Sequence, residues 1–161
     1  MCRRLTPCPY KLARKFLTQR NTKDRQGRKE GKGNMEDELS FKIVGAAIEV
    51  HRHLGGPGLL ESIYESALCQ ELLLKGMRVK RQLPVTVKYK DVVIRDPLYL
   101  DILVEDKVIV EVKAVEKDNP IFKTQLLTYL RLTDLKLGLI INFGKYQVRD
   151  GVHRIINGQL N

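Results

Sequence analysis

The sequence predicts an α/β fold with the element order αα-βββ-α-β(β), gathered in one folded domain. Three observations lead to this prediction. In the first part of the folded segment, apolar residues recur every three or four positions, as in amphipathic helices. Further on they alternate with polar residues, as in half-buried strands, and one late stretch is apolar throughout. With 161 residues, the chain is long enough for one domain with a substantial core and hardly long enough for two.

The two N-terminal elements are predicted to be helices. The first spans residues 36–54, where apolar residues are spaced by three and four along one face. The segment Gly55-Gly56-Pro57-Gly58 ends it. A second helix is predicted over residues 59–75, and Gly76 suits the position just after a helix C-terminus. The apolar side of this second helix is predicted to contain Leu60, Ile63, Tyr64, Ala67, Leu68, Glu71 and Leu72.

Strand patterns begin at residue 79. Extended segments are predicted over residues 79–89, 92–104 and 107–115, with a turn at Lys90-Asp91. Asp96-Pro97 predicts a bulge or a sheet edge within the second segment, because proline cannot donate a hydrogen bond to a neighbouring strand.

The C-terminal part is predicted to contain one more helix and one or more strands. The helix starts at Asn119 or Pro120 and ends near residue 132, since proline suits the first turn of a helix. Residues 137–143 form a nearly continuous apolar run, typical of a strand buried on both faces. Short strands are expected over residues 146–149 and 152–156.

The net charge of +10 is unevenly distributed along the chain. Residues 1–34 contain 11 of the 29 basic residues and 2 of the 19 acidic ones, which leaves residues 35–161 nearly neutral. Residues 1–34 are predicted to be a basic, disordered extension, because their polar composition cannot bury enough surface to order itself. We expect Met35 to be the start of the working protein, and residues 35–161 to be a single domain. Global charge therefore does not establish nucleic-acid binding.

The cysteines and the apolar stretches limit the class of protein. Cys2, Cys8 and Cys69 form no CxxC pair, which excludes a disulfide framework and a four-cysteine iron–sulfur cluster. A reducing cytoplasm is the expected location. No apolar stretch of the sequence approaches the roughly 18 residues that a membrane-spanning helix needs, so no interaction with a membrane is predicted.

The chemistry-bearing segment is a predicted hairpin over residues 98–113. A three-residue loop at 105–107 would place Asp101 directly opposite Glu111, with their Cβ atoms about 4.5–5.5 Å apart. A two-residue loop would shift the register by one. Lys113 lies two residues after Glu111 and would project from the same face of the strand.

Two close carboxylates are unfavourable unless a cation lies between them. Oxygen ligands of this kind suit Mg²⁺ or Mn²⁺, and such a metal can lower the pKa of bound water and stabilise charge on a phosphate. The lysine can then orient or deprotonate the attacking water, or neutralise the developing charge. The alternative is a cross-strand pair on a solvated face, with Lys113 bridging the acids of a structural protein.

Several motifs together resemble a known family. The segment Gly58-Leu-Leu-Glu61-Ser-Ile-Tyr64 is similar to the signature of the GxxExxY proteins, a bacterial and archaeal group placed in the PD-(D/E)XK nuclease superfamily. The resemblance covers about residues 38–156. Its other segments are residues 48–51, 64–68, 82–85, 87–90, 101–104, 109–114, 125–130 and 138–143.

The resemblance implies a restriction-endonuclease-like core, with a central mixed β-sheet flanked by helices. It also implies that Asp101 is the first acid of the motif, and that Glu111 and Lys113 form its (D/E)XK part. Glu61 resembles the additional helix acid that completes the metal site in RecB-like members. The carbonyl group of Val112 is expected to add a metal ligand.

Two further residues match a motif of the RecB-like branch. Gln125 and Tyr129 resemble its Q-x-x-x-Y pattern, and their i, i+4 spacing places them on one helix face. Two features depart from the superfamily pattern. Asp101 is preceded by Leu100 rather than by proline, and the cysteine cluster of iron–sulfur RecB-like nucleases is missing from this sequence.

The leading hypothesis is a metal-dependent nuclease acting on DNA. Asp101, Glu111 and Glu61 would hold Mg²⁺ or Mn²⁺, and Lys113 would position or activate water. The alternative is a nucleic-acid-binding or assembly module that retains the fold without turnover. A homodimer is plausible for a chain of this size.

Overall fold

The computed structural model describes residues 35–159, and side chains are described from residue 37 onward. The predicted basic extension, residues 1–34, lies outside the described residues. The helices are α1 (Met35–His53), α2 (Glu61–Leu74) and α3 (Pro120–Thr133). The strands are β1 (Val79–Val85), β2 (Lys88–Tyr89), β3 (Val92–Val93), β4 (Leu98–Val104), β5 (Val108–Lys113), β6 (Leu137–Asn142) and β7 (Val152–Ile156).

A mixed five-stranded sheet with the order β1-β4-β5-β6-β7 forms the centre of the fold. Its neighbouring strands are antiparallel except β5 and β6, which are parallel. Helix α3 connects these two strands, as a parallel pair requires. Strands β2 and β3 form a separate two-stranded hairpin. This architecture confirms the predicted α/β class with a central mixed sheet.

Two apolar clusters cover the two faces of the sheet. Helices α1 and α2 pack with alternate residues of β4, β5 and β6, such as Val110 and Leu139. Helix α3 packs against the opposite set, which includes Ile109 and Ile140. All six residues of β6 are buried, as the continuous apolar run predicted. Because each face is covered, the sheet is an internal layer between helices.

The α1–α2 connection is a glycine turn held by a tyrosine. Gly55, Gly56 and Gly58 all have positive φ, a conformation that glycine adopts without steric cost. The Tyr64 hydroxyl donates a hydrogen bond to the Gly56 carbonyl (2.7 Å) and accepts one from the Leu59 amide (3.2 Å). The tyrosine thus connects the turn to α2 and sets where that helix begins.

Most predicted elements are confirmed, and two details were wrong. Residues 146–149 were expected to form a strand, but Val148–Gly151 is a 3₁₀ helix. Alternation alone does not separate a short edge strand from a single helical turn. Leu60, just before α2, and Ile63 on it were expected on the apolar side but are exposed, while Glu65 and Cys69 are buried instead. The turn at Lys90-Asp91 is present, and at Asp96-Pro97, where a bulge or a sheet edge was expected, the extended segment is interrupted between β3 and β4.

The predicted β4–β5 register is confirmed. Ile102 pairs with Val110 and Val104 with Val108, across a three-residue turn at 105–107. Glu105 and Asp106 both have positive φ in this turn. Among residues 35–159, no helix is long and apolar enough to cross a membrane.

Candidate metal centre and catalytic site

One acid of the candidate site lies where β4 loses its regular alternation. Leu100 packs on the α3 side of the sheet, but Ile102 packs on the α1–α2 side and Leu103 again on the α3 side. Gln82, beside this point on β1, has a φ of +49°. Irregularities of this kind twist a strand and re-aim one side chain. Asp101 is the residue at the irregularity.

Asp101 does not form a regular cross-strand pair with Glu111. The β4–β5 ladder ends at Ile102 and Val110, one position earlier. The Asp101 carboxylate instead accepts a hydrogen bond from the backbone N–H of Val112 (2.9 Å). The two acids nevertheless remain electrostatic neighbours, since the charge of Asp101 helps to raise the pKa of Glu111.

Glu111 is the most buried acid of the site. One of its carboxylate oxygens, Oε1, accepts a hydrogen bond from Lys113 Nζ (2.8 Å). The other oxygen, Oε2, is buried and has no hydrogen-bond partner among the described residues. Burial, followed by the charge of Asp101, raises the pKa of Glu111 to about 7. An unpartnered buried carboxylate oxygen is costly, and an oxygen-seeking cation would satisfy it.

Lys113 lies between two of the predicted metal ligands. Its Nζ atom is 2.8 Å from Glu111 Oε1 and 3.5 Å from Glu61 Oε1. Burial by itself would lower the pKa of Lys113, but the hydrogen bond to Glu111 and the surrounding acids outweigh this effect and raise it. The ammonium group is therefore charged at neutral pH and neutralises part of the acid cluster.

Glu61 enters the site from the first turn of α2. In addition to its ion pair with Lys113, it accepts a hydrogen bond from the backbone N–H of Ala114 (3.3 Å). The helix that carries it is positioned by the Tyr64 contacts and by stacking of Tyr64 on Phe143, with ring centroids 4.6 Å apart. The fold thus brings Glu61 to the end of β5, although 50 residues separate it from Glu111 in the sequence.

Asp101 is also partly buried. Burial raises its pKa, while the Val112 amide and the charge of Lys113 act in the opposite direction. Both central acids therefore have raised pKa values, which is the electrostatic signature of carboxylates that share a low-dielectric site. Perturbed carboxylates of this kind are common in functional sites.

Gln125 and Tyr129 lie on α3 and pair with each other. Gln125 Nε2 donates a hydrogen bond to the Tyr129 hydroxyl (2.6 Å), and Tyr129 belongs to the apolar cluster beneath α3. Within residues 37–159, neither side chain hydrogen-bonds to Asp101, Glu111 or Lys113. The connection to the site runs instead through Phe122 of the same helix, whose ring centre is 5.5 Å from Lys113 Nζ.

Four of the predicted site residues therefore meet at one place: Glu61, Asp101, Glu111 and Lys113. In the described part of the chain, however, no three His, Cys, Asp or Glu side chains are already gathered as a metal cage. Lys113 occupies the space between Glu61 and Glu111, and Asp101 is turned to the Val112 amide. The oxygen donors and the unpartnered Glu111 oxygen fit a hard divalent cation, provided that these side chains move together around it.

A polar network next to the site was missed from the sequence. The buried Asn142 side chain, at the end of β6, receives hydrogen bonds from the Val115 and Gly144 amides and donates to the carboxylate of Asp118 (2.8 Å). Asn142 lies beside Lys113 in the parallel β5–β6 register. Its only signal in the sequence is a polar residue at the end of an apolar strand.

His51 is buried and bonds to a group outside the acid cluster. Its Nε2 lies 3.0 Å from the Lys145 carbonyl oxygen, which connects α1 to the segment after β6. Glu65 is also buried, and it receives hydrogen bonds from Arg81 (2.6 Å) and Gln82 (2.9 Å). These contacts join α2 to β1 close to the irregularity at Asp101.

Comparison with known proteins gives one family. A family model described as the PD-(D/E)XK nuclease superfamily matches residues 37–155, which is most of the chain and nearly all of its described part. Neither a curated protein nor a solved structure matches the sequence.

Proposed function

The chain belongs to the PD-(D/E)XK nuclease superfamily, and from this premise we propose that it hydrolyses phosphodiester bonds in nucleic acid, specifically DNA. The observation that carries the proposal is the meeting of Glu61, Asp101, Glu111 and Lys113 at the end of β5, with one Glu111 oxygen buried and unpartnered. Gathered around a cation, these side chains would hold the metal next to Lys113.

Nucleases of this superfamily generally use divalent metals, and we propose Mg²⁺ or Mn²⁺ here. Glu61, Asp101 and Glu111 would hold the ion with their carboxylates, and the Val112 carbonyl would add a ligand. When bound, the metal supplies Lewis-acid stabilisation of phosphate charge and lowers the pKa of a coordinated water molecule. Lys113 would then be released from its ion pairs with Glu61 and Glu111.

Lys113 would position the attacking water and neutralise charge that develops on the phosphate. The Phe122 ring, whose centre is 5.5 Å from Lys113 Nζ, covers one side of the ammonium group. Gln125, one helical turn after Phe122, would contact the substrate strand, and Tyr129 would hold Gln125 through their hydrogen bond. The assignment of these roles follows the Q-x-x-x-Y pattern of RecB-like nucleases.

We further propose that the chain is a GxxExxY-type member of the superfamily and works in the cytoplasm. Residues 35–161 would be the single nuclease domain, and residues 1–34 a basic extension. The resemblance of residues 58–64 to the GxxExxY signature and the high charge of residues 1–34 support these proposals. A homodimer stays a prediction from the small size of the domain.

The second candidate function is a nucleic-acid-binding or assembly module without turnover. One observation favours it: in the described residues the acids are bridged by Lys113 rather than gathered around a common point. If this bridge persists in the presence of metal, the site cannot activate water.

The decisive experiment is cleavage of labelled single-stranded and duplex DNA by the full chain with Mg²⁺ or Mn²⁺. We expect metal-dependent products that fall by at least about 10²-fold in Lys113→Ala, the magnitude typical of a lost electrostatic or acid–base group. Lys136→Ala, an exposed lysine outside the site, is the matched control and should retain activity.

Calorimetric titration with Mn²⁺ separates the two candidates further. Glu61→Gln, Asp101→Asn and Glu111→Gln should each weaken metal binding if the three acids share one ion. Pure protein that binds DNA but produces no cleavage with either metal would refute the hydrolysis proposal in favour of the module.

A further inference from the structure

A small cavity opens on the sheet face that carries Glu111. Its volume is about 130 Å³, with Pro120 and Phe122 of α3 on one side and Ile140 of β6 below. Asp118 and His153 form its polar rim. Pockets for drug-sized ligands are typically about 300–1,000 Å³, so this cavity can take no more than a single ring system.

The cavity adjoins the candidate metal centre. Ile140 is the register partner of Glu111, and His153 is the register partner of Ile140 on β7. Adjacent strands are about 4.8 Å apart, so the cavity begins one strand away from Glu111. Phe122 is shared between the two places, because its ring also lies below Lys113 Nζ. A nucleic-acid strand with one phosphate at Lys113 would therefore bring a neighbouring nucleoside to the cavity.

Asp118 is a hydrogen-bond acceptor fixed at the rim. Asn142 donates to its Oδ1 (2.8 Å), and His153 Nε2 lies 3.2 Å from its Oδ2. Burial alone would raise the pKa of Asp118, but these hydrogen bonds and the charge of Lys145 outweigh that effect and lower it. The carboxylate is thus ionised at neutral pH. It offers about four acceptor positions, of which Asn142, His153 and the Lys145 ammonium (3.6 Å from Oδ2) use only part.

A cation also lines the cavity. Within residues 37–159, the exposed side chain of Lys123 makes no hydrogen bond or ion pair, although the other polar groups around the cavity are held by neighbours. A free ammonium group at the mouth of an apolar slot is suited to a phosphate attached to whatever fills the slot. Apolar walls, a phenyl ring, a carboxylate and a free lysine together match the parts of one nucleotide.

We propose that this cavity binds one unpaired nucleobase of the substrate strand, next to the phosphate at Lys113. The base lies against Phe122 and Ile140, as unstacked bases do on aromatic and apolar side chains. Asp118 accepts a hydrogen bond from an exocyclic amino group of the base, the pairing that carboxylates make with cytosine. The cavity therefore selects an amino-bearing base over thymine or uracil. This inference rests on the proposed function, since it places the substrate strand at Lys113.

The test compares two nucleotides whose bases differ on the pairing edge, where cytosine carries an exocyclic amino group and uracil a carbonyl oxygen. Deoxycytidine monophosphate and deoxyuridine monophosphate are titrated into the full chain, in EDTA, and amide signals are followed by NMR. We expect shifts concentrated at residues 118, 119, 121–123, 140 and 153, and an affinity for the cytidine nucleotide roughly tenfold higher. Unchanged signals at these residues, or equal affinities for the two nucleotides, would overturn the proposal.

Two variants sharpen the result. Asp118→Asn should remove most of the preference between the two nucleotides, because an amide can also donate to the uracil carbonyl. Asp134→Asn, at the opposite end of α3, is the charge-matched control and should keep the preference; asparagine tolerates the left-handed conformation found there. If Asp118→Asn does not fold, the comparison of the two nucleotides on the unmodified chain still tests the proposal.

The experiment is independent of catalysis, because it is done without divalent metal. If the cytidine nucleotide binds in the cavity but no metal-dependent DNA cleavage is found, the proposed hydrolysis is refuted and the base site stands. Metal-dependent cleavage without nucleotide binding in the cavity would refute the base site and leave the proposed hydrolysis in place.

Discussion

At the scale of single residues, the site is organised around the buried carboxylate of Glu111. Its Oε2 atom has no partner among the described groups, and its pKa is raised from 4.5 to about 7. Above pH 4.5 the unfolded chain releases this proton before the folded chain does, so stability decreases as the pH rises towards 7. The cost is greatest above pH 7 and amounts to about 3 kcal/mol in the absence of metal.

Glu111→Gln should flatten this pH dependence. In EDTA, we expect the unmodified protein to lose more unfolding free energy between about pH 5 and pH 8 than the variant, as measured by urea denaturation. Addition of Mn²⁺ at pH 8 should raise the unfolding midpoint of the unmodified protein alone, because ligands that bind only the folded state stabilise it. Parallel pH profiles of the two proteins would contradict the prediction.

Cys69 provides a second residue-level prediction. Its thiol is buried within the α1–α2 cluster, and burial, followed by the charge of Glu65, raises its pKa to about 11. A thiol of this kind reacts slowly, because the thiolate is the nucleophile. In a Cys2→Ser/Cys8→Ser variant, we expect alkylation near pH 8 to be slow in buffer and rapid in urea. Rapid alkylation of the folded protein would show that α2 opens far more easily than its packing indicates.

At the scale of elements, the position of α2 decides whether Glu61 reaches the site. The Tyr64 hydroxyl bonds both sides of the glycine turn, and its ring stacks on Phe143. Removal of the hydroxyl leaves the Gly56 carbonyl and the Leu59 amide without this partner. The start of α2 would then be less constrained relative to Lys113.

Tyr64→Phe should therefore lower the unfolding free energy by about 1–3 kcal/mol, the cost of leaving partly buried polar groups unsatisfied. It should also weaken Mn²⁺ binding, because Glu61 is carried by the first turn of α2. Tyr89→Phe is the matched control, since Tyr89 is 65% exposed on the β2–β3 hairpin. Equal stability of the two variants would refute the role assigned to the Tyr64 hydroxyl.

Helix α3 packs tightly against the sheet at Gly138. A Cβ atom there would lie 2.9 Å from the side chain of Leu126. Gly138→Ala should therefore destabilise the fold by about 1–3 kcal/mol through overpacking. In the Leu126→Ala background the same change should cost less, which a double-mutant cycle of urea denaturation curves would measure. Additive costs would mean that Leu126 is not the side chain that the added methyl group displaces.

At the scale of the whole molecule, the excess positive charge and the candidate site lie in different parts of the chain. Residues 1–34 have a net charge of +9, while the candidate site lies in the nearly neutral part. A basic segment binds polyanions through counterion release, without sequence preference. The site and its neighbouring cavity would then supply the chemistry and the local preference.

Truncation to residues 35–161 should separate these two contributions. We expect DNA affinity to fall and its dependence on salt to become shallower, by roughly one unit of the log–log slope for each phosphate that basic side chains no longer neutralise. The unfolding free energy should change little, because the sequence places the core within residues 35–161. Measurement of binding at several salt concentrations checks the first expectation, and urea denaturation checks the second. A large decrease in stability would show that residues 1–34 belong to the folded domain.

Much of the fold could be predicted from local patterns, because periodicity reports which face of an element is buried. The run at residues 137–143 predicted the fully buried strand β6, and the turn at 105–107 predicted the register of β4 and β5. Residues 146–149 were mispredicted as a strand, because a short segment carries too few residues to define a period. The exposure of Leu60 and Ile63 depends on what covers α2, which its own sequence does not contain.

By itself, the sequence determined the element order, the hairpin register and the residues with the chemistry of a metal site. These follow from local spacing and from side-chain type. Only the tertiary structure decided that Asp101 turns to the Val112 amide, that Lys113 bridges Glu111 and Glu61, and that Asp118 and Phe122 enclose a cavity beside them. The physical reason is that each of these contacts joins residues from different elements, whose meeting depends on how the helices pack on the sheet.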